Sequence, residues 1–550
     1  MAQLSQRVID GVYRARERFP HHAALVYLGT SFSYEALVRL IERFAAALHH
    51  LGVRKDHKVM LYLPNTPQFV VAYLGAQLVG GVPVTVSPIH TPSELRYMLD
   101  DSGAETIVCM DVNYRYVREA FPGSPLRRIV VTTYVDLLPR YKKVLGFLLD
   151  KVPRGRFERR DDVHRFATLL GHSPPRPPRV DVDSARQLCG IVYTGGTTGF
   201  PKGCAFTHAG MVSFVDEIQQ VGEGHIGRGR DTMVLANPLF HQLAQGMLLG
   251  MVLNRGNTAV LMPIPETDAI LDAVARHRAA LLVASPTLYR RILENERLDQ
   301  YSLDSLRFCW SGGEMLPAEV FNRWKKTVGR PVYQVYGSAE VGFIAMSPLD
   351  REPSPTRVGR PLPSRKTRVA DPETLRPVPR GEPGELWVTS EFISKEYWNK
   401  PDETRKAYVE VDGEIWYRTN DIVFIDDNGE LGYVDRRADI IQHRGFWVSC
   451  SEIEAVLQAH PSVVGSCVVG VPDAKLGERI KAIVVLKEDA RGVGGPELIG
   501  WCRDRLDPHK VPQYVEFRDM LPRSRVGKLL RREIRDEERR KVVPKKTEPS

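Results

Sequence analysis

The residue types best suited to chemistry are concentrated in one short stretch, Tyr193–Gly203, which reads YTGGTTGFPKG. Four glycines, three threonines and one lysine fall within these eleven residues. Glycines let backbone N–H groups approach a ligand, threonine hydroxyls donate to phosphate oxygens or bind a metal ion, and Lys202 adds a positive charge. The composition favours a polyphosphate-binding loop over a plain turn that closes a hairpin.

This loop differs from the common P-loop. In that pattern Gly-Lys is followed at once by Ser or Thr, whereas Lys202 lies here between Pro201 and Gly203. An apolar run that ends at Val192 precedes the loop and has the pattern of a strand. The loop is therefore expected to follow a strand and to bind phosphates without being a standard P-loop.

The elements around the loop alternate between strand and helix patterns. Upstream, helical segments at 33–53, 69–79 and 93–104 alternate with apolar runs at 57–64, 82–86 and 105–110. Downstream, the runs 232–241, 258–262 and 279–286 are separated by helical patterns through 249 and over 267–277. Strand and helix in turn predict a parallel α/β sheet.

The pattern of predicted secondary structure changes at two further points in the sequence. Prolines cluster over 353–383, and a meander with a turn at Asp427-Asn428-Gly429 follows, which predicts a β-rich subdomain. After Arg436, short helices and strands form a small α+β unit, and the charged tail 536–550 is expected to fray. The predicted fold class is α/β, with a large N-terminal domain (1–435) of α/β subdomains plus the β-rich subdomain, and a small mobile C-terminal domain (436–550).

Composition excludes several classes of protein. With 43% hydrophobic and 26% charged residues the chain is that of a soluble globular protein, and its N-terminus lacks the apolar stretch of a secretory signal. Seven scattered cysteines without a C-x-x-C pair argue against disulfides and zinc and predict a reducing, cytoplasmic location. The stretch 59–93 has no charged residue, but its prolines and glycines favour a buried helix and strand over a membrane span.

The net charge of +9 is unevenly distributed. Residues 126–180 hold 13 basic and 5 acidic side chains, a balance of +8, and Tyr141–Lys151 has the pattern of a basic amphipathic helix. Such a helix can lie on an anionic membrane, and an ordinary solvated surface helix is the alternative. No basic stripe interleaved with aromatic residues is present, so nucleic acid is not an expected partner. Both a monomer and a dimer are compatible with the sequence.

Six more motifs accompany the loop in a fixed order. They are NPLFH at 237–241, SGGE at 311–314, QVYGSAE at 334–340, YRTND at 417–421, DRRADIIQHRGFWVSCSEIE at 435–454 and LPRSRVGKLLRR at 521–532. In this order and at these spacings the set resembles the acyl-adenylate-forming (AMP-binding) superfamily, which includes acyl-CoA synthetases, luciferases and the adenylation domains of peptide synthetases. The resemblance spans nearly the whole chain.

The resemblance implies roles for individual residues. The β- and γ-phosphates of ATP would be bound by Thr194, Gly195, Gly196, Thr197, Thr198, Gly199 and Lys202. The adenine would be surrounded by Gly312, Gly313, Glu314, Gln334, Tyr336, Gly337 and Ser338. Asp421 and Arg436 would lie near the ribose, and Lys528 would also bind ATP. Glu340 and Thr194 would hold Mg²⁺, and Gly445 would let the pantetheine of coenzyme A pass. His241 and Gly313 would lie near the acyl carboxylate, although a satisfied core histidine is an equal alternative for His241.

The implied chemistry explains these residue types. The carboxylate attacks the α-phosphorus of ATP, an acyl-AMP forms and pyrophosphate leaves; the thiolate of coenzyme A then displaces AMP. Because two anions must meet, Mg²⁺ and a lysine are needed where negative charge accumulates. Lys528, Glu340 and Lys202 are the predicted catalytic residues. The glycine-rich loop would then hold the leaving pyrophosphate, which accounts for its difference from a P-loop.

The sequence departs from the usual pattern of the superfamily at a few positions. Ala339 stands where Thr is usual, Asn420 and Asp435 where Gly is usual, Ala438 at the hinge where Asp or Lys is usual, and Trp447 where a basic residue is common. These changes bear on rate and on coenzyme A geometry rather than on fold.

The substrate prediction rests on the same resemblance. The segment 132–170 and the C-terminal motif are similar to those of medium- and long-chain fatty acyl-CoA synthetases, and small residues at 246–250 are candidates for an acyl tunnel. The predicted function is an ATP-dependent CoA ligase for a fatty or other apolar carboxylate. An aryl-acid CoA ligase, a stand-alone adenylation enzyme that loads a carrier protein, and a catalytically weak nucleotide or acyl sensor are the alternatives.

Overall fold

The computed structural model describes residues 6–148, 152–194, 200–390, 393–444, 446–473, 475–488, 490, 492–522 and 529–542. The chain divides into two compact units. The first unit comprises residues up to 316 with 320–367 and 388–418, and the second comprises 317–319, 368–387 and the chain from 419 onward. The predicted domain boundary at 435/436 remains a prediction.

The strands, in chain order, are β1 Ala23–Tyr27, β2 Thr30–Ser33, β3 Lys58–Tyr62, β4 Val82–Thr85, β5 Thr106–Met110, β6 Arg128–Thr132, β7 Val163–Arg165, β8 Leu188–Tyr193, β9 Gly203–Thr207, β10 Thr232–Leu235, β11 Thr258–Leu261, β12 Leu281–Ala284, β13 Phe308–Gly312, β14 Val332–Ser338, β15 Gly342–Met346, β16 Arg360–Pro361, β17 Lys366–Ala370, β18 Gly384–Thr389, β19 Tyr408–Val411, β20 Glu414–Ile425, β21 Leu431–Arg436, β22 Ile440–His443, β23 Phe446–Ser449, β24 Val463–Asp473, β25 Gly477–Leu486 and β26 Tyr514–Phe517.

The α-helices, in the same order, are α1 Val8–Arg18, α2 Tyr34–His50, α3 Pro67–Leu78, α4 Pro92–Ser102, α5 Tyr114–Ala120, α6 Arg140–Leu148, α7 Phe166–His172, α8 His208–Val221, α9 Gln242–Met247, α10 Thr267–Arg276, α11 Pro286–Leu293, α12 Ala318–Val328, α13 Pro401–Ala407, α14 Cys450–Gln458, α15 Gly495–Arg503 and α16 Arg531–Val542.

Two sheets form the first unit, as the strand–helix alternation predicts. Within the described residues, one sheet has the order β16-β15-β14-β13-β12-β10-β11-β1-β2, and its strands from β14 through β1 run parallel. The other has the order β7-β6-β5-β3-β4-β8-β9 and is parallel except for the β8/β9 pair. Parallel strands buried on both faces need apolar runs, and β3, β4, β5 and β12 are such runs.

The uncharged stretch 59–93 forms buried elements, as predicted. Every residue of α3 is buried, and its N-cap Thr66 accepts a hydrogen bond from the backbone N–H of Phe69. Helix α4 begins with a capping box between Thr91 and Glu94 and ends at Gly103, whose φ of +67° permits the left-handed turn. Among the described residues, no helix combines the length and apolar character needed to cross a bilayer.

The second unit contains a sheet with the order β23-β22-β25-β24, and β26 pairs with β25. Its core is formed by apolar side chains of these strands and of α14 and α15, including Ile453, Val468 and Leu498.

A further sheet, β17-β18-β20-β19 with β21 paired to β20, confirms the predicted β-rich segment with its turn at 426–430. The expectation that the tail frays is wrong for 536–542, because α16 extends to Val542.

Candidate active site

The glycine-rich loop joins β8 and β9, which pair antiparallel from Leu188 and Thr207 to Tyr193 and Gly203. At the mouth of the loop, the Thr194 N–H donates to the Lys202 carbonyl at 2.9 Å, and the Lys202 N–H donates to the Thr194 hydroxyl at 3.3 Å. The stretch therefore follows a strand, as predicted, and the strands on its two sides pair as a hairpin, the local structure that the alternative interpretation required. Residues 195–199, which were predicted to contact phosphates, lie outside the described residues.

Lys202 and Glu340 contact the same aromatic side chain, Tyr397. The Lys202 ammonium lies 4.7 Å from the centroid of the Tyr397 ring and forms an ion pair with Glu403 at 2.8 Å. The Tyr397 hydroxyl donates to the Glu340 carboxylate at 2.7 Å. Burial, and secondarily Glu340, raise the pKa of Tyr397 well above its ordinary value, so the hydroxyl stays a donor at neutral pH. One tyrosine thus connects the predicted phosphate-binding lysine to the predicted metal-binding carboxylate.

Two more tyrosines surround this connection. The Tyr408 ring lies 5.7 Å from that of Tyr397 and 5.2 Å from that of Tyr417, and burial raises the pKa of both Tyr408 and Tyr417. Glu340 itself is 7% exposed. A carboxylate in such surroundings interacts strongly with any cation brought to it, because few water molecules screen the charge.

The predicted adenine-side residues lie at one edge of the large parallel sheet. Strands β13 and β14 pair so that Ser311 lies opposite Gln334 and Gly312 opposite Val335. A Cβ atom at Gly312 would lie 2.7 Å from the Val335 carbonyl oxygen, which explains glycine there. The carboxyl ends of parallel strands meet at one edge of a sheet, the usual location of ligands in α/β folds. The motifs SGGE and QVYGSAE are therefore brought together.

Side chains of these motifs differ in their contacts. Glu314 is exposed and accepts a hydrogen bond from Thr287 at 3.3 Å. The Gln334 amide donates to the carbonyls of Ser354, Pro355 and Arg357, so it holds a neighbouring loop. Gln334 thus has a structural task in this fold.

Gly313, Tyr336, Gly337 and Ser338 complete this edge. Gly313 has a φ of +88° and no atom near its missing side chain, so the backbone is open to a ligand. Tyr336 is half-buried on β14, and Ser338 lies opposite Gly342 at the start of β15. A Cβ atom at Gly337 would approach the Gly342 carbonyl oxygen to 2.1 Å, so only glycine fits this bulge.

His241 follows β10 at the same edge and is the N-cap residue of α9. It is exposed, and its ring lies 4.5 Å from that of Phe240. The buried Asn65 side chain holds the preceding loop in place, because it accepts from the Leu239 N–H at 2.7 Å and donates to the Asn237 carbonyl at 2.9 Å. Because the His241 side chain is exposed, the alternative of a core histidine is wrong.

The small residues at 246–250 serve close packing. Cβ atoms at Gly246 and Gly250 would lie 2.8 Å from Phe214 and 2.6 Å from Ile218, side chains of α8. Because α8 occupies the space beside both glycines, these positions do not open an acyl tunnel in the described structure.

Asp421 and Arg436 lie together in the second unit. They are opposite residues of β20 and β21, and the Arg436 Nε–Asp421 Oδ1 distance is 2.9 Å. The hydroxyl of Tyr433 also donates to Asp421 at 3.3 Å, and Asp421 is 2% exposed. The backbone at Asn420 is left-handed, with φ of +56°, a conformation that asparagine tolerates better than most residues, so this departure from glycine is accommodated.

Asp435 occupies a buried position. Its carboxylate accepts from the Ser449 and Ser451 hydroxyls at 2.8 and 3.1 Å and from the Ser451 N–H at 2.9 Å. Burial raises the pKa of Asp435, and Arg531 opposes that effect. Ala438 follows three residues later, and its carbonyl accepts a hydrogen bond from Arg535. The departure at 435 thus ties the end of β21 to the start of α14.

Lys528 and Gly445 lie outside the described residues, as does the loop 195–199. Conversely, sequence reasoning missed Tyr397, Glu403 and Tyr433, which contact predicted site residues. The sequence carries a weak signal for Tyr397, an aromatic pair before Asn-Lys-Pro, but nothing in it indicates that its partner is Glu340.

The described residues fit a magnesium ion that is bound mainly by substrate phosphates and by one protein carboxylate. No cluster of three or more acidic, histidine or cysteine side chains suited to a metal exists within the described residues. Mg²⁺ often binds through one or two carboxylates together with substrate phosphates and water rather than through a complete protein cage. The single buried carboxylate of Glu340 is compatible with that mode of binding.

Comparison with known proteins gives the same picture. The profile of the AMP-binding enzymes matches residues 12–398, and that of the AMP-binding enzyme C-terminal domain matches residues 452–528. The long-chain-fatty-acid–CoA ligase of Escherichia coli O6:H1 is 32% identical over 98% of this chain and 95% of its own length. The ligase of the same name from Bacillus subtilis is 31% identical over 95% of this chain and 92% of its own length.

Among solved structures, the anthranilate CoA ligase AuaEII in complex with anthranoyl-AMP superposes with a TM-score of 0.84 at 23% identity, covering 98% of both chains. At this identity the likeness concerns the fold, and it agrees with the predicted α/β architecture. The chain belongs to the family of AMP-binding enzymes. The predicted superfamily and the predicted enzyme class, an acid–thiol ligase, are thereby confirmed.

Proposed function

We propose that this enzyme joins a long-chain fatty acid to coenzyme A at the expense of ATP, which is split to AMP and pyrophosphate. The observation that carries the proposal is the similarity to two long-chain-fatty-acid–CoA ligases over nearly the full length of all three chains. The connection of Lys202, Tyr397 and Glu340 supports it, because it holds a cation and a carboxylate next to the glycine-rich hairpin.

The residues divide the first half-reaction between them. Lys202 and the glycine-rich loop bind the β- and γ-phosphates, which leave as pyrophosphate. The adenine lies at the edge formed by β13 and β14, and Asp421 accepts hydrogen bonds from the ribose hydroxyls. Lys528 stabilises the charge that develops when a carboxylate oxygen approaches the α-phosphorus, a role suited to a flexible cationic side chain.

Glu340, with Thr194, binds Mg²⁺ in this proposal. When bound, the ion would neutralise phosphate charge. The hydrogen bond from Tyr397 fixes the orientation of the Glu340 carboxylate. Direct binding of Mn²⁺ in the presence of ATP, followed by electron paramagnetic resonance, should weaken in Glu340→Gln and persist in Glu296→Gln, which changes an exposed carboxylate outside the predicted site.

A panel of acids tests the substrate. Pyrophosphate release is measured with saturated fatty acids of several chain lengths and with benzoate-type acids, each without an acceptor, with coenzyme A and with a carrier protein. The proposal predicts sustained release only with fatty acids and coenzyme A. Turnover with aryl acids but not with fatty acids would identify an aryl-acid ligase. Turnover only with a carrier protein would show that the acceptor is not coenzyme A. No pyrophosphate release with any acid would favour the catalytically weak sensor.

The enzyme also contacts anionic membranes in this proposal. Tyr141 and Val144 of α6 are 63% and 54% exposed, and the Lys142 ammonium donates to the carbonyl of Leu28, itself 48% exposed. Exposed apolar side chains beside lysines suit a lipid surface. Cosedimentation with phosphatidylglycerol vesicles should decrease in Tyr141→Ser/Val144→Ser and remain in Lys325→Ser, and equal binding to phosphatidylcholine would contradict the charge contribution.

A cytoplasmic location completes the proposal. All seven cysteines are buried and unpaired, as expected in a reducing compartment.

A further inference from the structure

Asp101, in the last turn of α4, is a buried carboxylate that has no part in the reaction as described so far. Its side chain is 4% exposed. One carboxylate oxygen accepts from the Tyr193 hydroxyl at 2.7 Å, and the other accepts from the Lys400 ammonium at 2.5 Å. Burial, and secondarily Asp101, raise the pKa of Tyr193 well above its ordinary value, so its hydroxyl stays a donor at neutral pH. The carboxylate thus connects the end of β8 to the segment 398–400.

The backbone of Asp101 binds the same segment. Its carbonyl accepts from the indole N–H of Trp398 at 3.1 Å and from the side-chain amide of Asn399 at 2.9 Å. The backbone at Asn399 is left-handed, with φ of +51°, a conformation that asparagine tolerates better than most residues. One residue of α4 therefore holds three consecutive residues that lie about 300 positions further along the chain.

The stability of α4 does not account for a carboxylate at this position. Because the negative end of a helix dipole lies at the C-terminus, an aspartate in the last turn is unfavourable for the helix itself. The neighbouring Asp100 has a 48% exposed side chain and pairs with Arg96 of the same helix. The side chain of Asp101 instead bonds to residues outside α4. Its contacts therefore serve other elements.

Both segments that Asp101 holds adjoin Lys202. Tyr193 pairs with Gly203, the residue that follows Lys202, where β8 meets β9. From the other side, the Trp398 N–H donates to the Gly203 carbonyl at 2.8 Å. The backbone next to Lys202 is thus fixed between two segments that Asp101 connects.

The side chain of Lys202 depends on the same segment. Its ammonium lies 4.7 Å from the centroid of the Tyr397 ring and 2.8 Å from the Glu403 carboxylate. Tyr397 and Glu403 flank the residues 398–400 that Asp101 binds. A shift of this segment would therefore move both groups that orient the Lys202 ammonium.

We propose that Asp101 is a positioning residue for the polyphosphate of ATP: by holding Tyr193 and Lys400, it fixes the Lys202 ammonium where that cation meets the β- and γ-phosphates. The inference rests on the proposed function, which gives Lys202 this role. Because the polyphosphate takes part only in the formation of acyl-AMP, Asp101 should affect that half-reaction and not the transfer of the acyl group to coenzyme A.

The first test removes the charge of the carboxylate. Asp101→Asn should raise the KM for ATP, and the KM for pyrophosphate in ATP–pyrophosphate exchange, by about tenfold, the scale of one charge-assisted hydrogen bond. The KM for the fatty acid and the conversion of pre-made acyl-AMP to the thioester should stay unchanged, a split that a general folding defect would not produce. Asp100→Asn, which changes the neighbouring exposed carboxylate, is the matched control.

The second test measures coupling. If Asp101 acts through Lys202, Asp101→Asn should add little to the loss caused by Lys202→Ala. Lys400→Ala removes the partner of the carboxylate and should raise the KM for ATP as Asp101→Asn does, whereas Lys400→Arg keeps the cation and should retain a low KM. Because the Lys400 side chain is 28% exposed, these two variants test the proposal even if Asp101→Asn does not fold.

Binding of α,β-methylene-ATP, measured by isothermal titration calorimetry, separates the inference from the identity of the acid. Weaker binding by Asp101→Asn, in an enzyme whose wild type turns over no fatty acid, would overturn the proposed function and support the inference. Unchanged binding and KM values in Asp101→Asn and Lys400→Ala would overturn the inference. Equal slowing of both half-reactions, or a loss that adds fully to that of Lys202→Ala, would overturn it as well.

Discussion

At the scale of single residues, Tyr397 joins two charged side chains that lie far apart in the sequence. Its ring contacts the Lys202 ammonium, and its hydroxyl donates to Glu340, 57 residues away along the chain. A charge-assisted hydrogen bond of this kind contributes about 1.5–3 kcal/mol. In the proposed mechanism Tyr397 is a positioning residue, which acts through Glu340.

Tyr397→Phe should slow pyrophosphate exchange about tenfold, because it removes the hydrogen bond to Glu340 and keeps the ring beneath Lys202. The reduction should be largest at low Mg²⁺ and smaller at high Mg²⁺, a dependence that a general packing defect would not produce. Tyr408→Phe is the control, since its hydroxyl forms no hydrogen bond with Glu340 in the described structure. Equal slowing by both variants at every Mg²⁺ concentration would contradict this role.

His208 predicts a pH dependence of stability. Burial lowers the pKa of His208 to about 4, and its Nδ1 accepts from the Val8 N–H at 3.4 Å. The unfolded chain, with an ordinary pKa near 6.5, binds the proton first as pH falls. Stability is therefore complete above about pH 6.5 and decreases by about 3 kcal/mol as the pH approaches 4.

The measurement is urea denaturation between pH 7 and pH 4. His208→Gln should show a shallower loss of stability over this range than the wild-type enzyme, and His172→Gln, which changes an exposed histidine, should show the same loss as wild type. Parallel curves for wild type and His208→Gln would show that His208 does not contribute.

Residue types could be predicted from the sequence, but most partners could not. Lys202 and Glu340 stand out because loop composition and motif order single them out. Tyr397 and Glu403 lie outside every motif. Only the fold brings Tyr397 to Glu340, 57 residues away, and Glu403 to Lys202, 201 residues away. The predicted acyl tunnel at Gly246 and Gly250 was wrong, because small side chains are equally typical of a tunnel wall and of close helix packing.

At the scale of elements, the spacing of apolar residues located most helices and strands. The helical pattern over 93–104 corresponds to α4, which ends at Gly103, and the apolar run of β8 leads into the loop as predicted. The prediction that the charged tail frays was wrong for the residues of α16, because this helix has few apolar residues by which it could be recognised in the sequence. Its first residues are held by ion pairs instead: Arg531 contacts Asp439 at 2.5 Å and Glu454 at 2.7 Å.

Arg531→Ala should lower the free energy of unfolding by about 3–5 kcal/mol, because it leaves the buried carboxylate of Glu454 without its cation. Burial raises the pKa of Glu454, and Arg531 is the main influence that opposes it. Arg532→Ala, the neighbour whose 61% exposed side chain pairs with Asp536, should change stability by less than about 1 kcal/mol. Chemical denaturation followed by circular dichroism checks both values, and similar small losses for the two variants would contradict the assignment.

At the scale of the whole molecule, the resemblance implies that the C-terminal domain carries Lys528 and moves between the two half-reactions. Lys528→Ala should therefore abolish formation of acyl-AMP from ATP and keep much of the conversion of pre-made acyl-AMP to the thioester. Rapid-quench assays of each half-reaction separate the two. An equal loss in both would contradict the two-conformation hypothesis.

The defining step of the proposed reaction is the attack of the fatty acid carboxylate on the α-phosphorus of ATP. The most direct measurement uses a long-chain fatty acid with ¹⁸O in both carboxylate oxygens, together with ATP and coenzyme A, and mass spectrometry of the nucleotide product. If the carboxylate attacks the α-phosphorus and the thiolate then displaces AMP, each AMP carries one ¹⁸O from the acid. The appearance of ¹⁸O in inorganic phosphate together with ADP, or unlabelled AMP alongside the thioester, would contradict this mechanism.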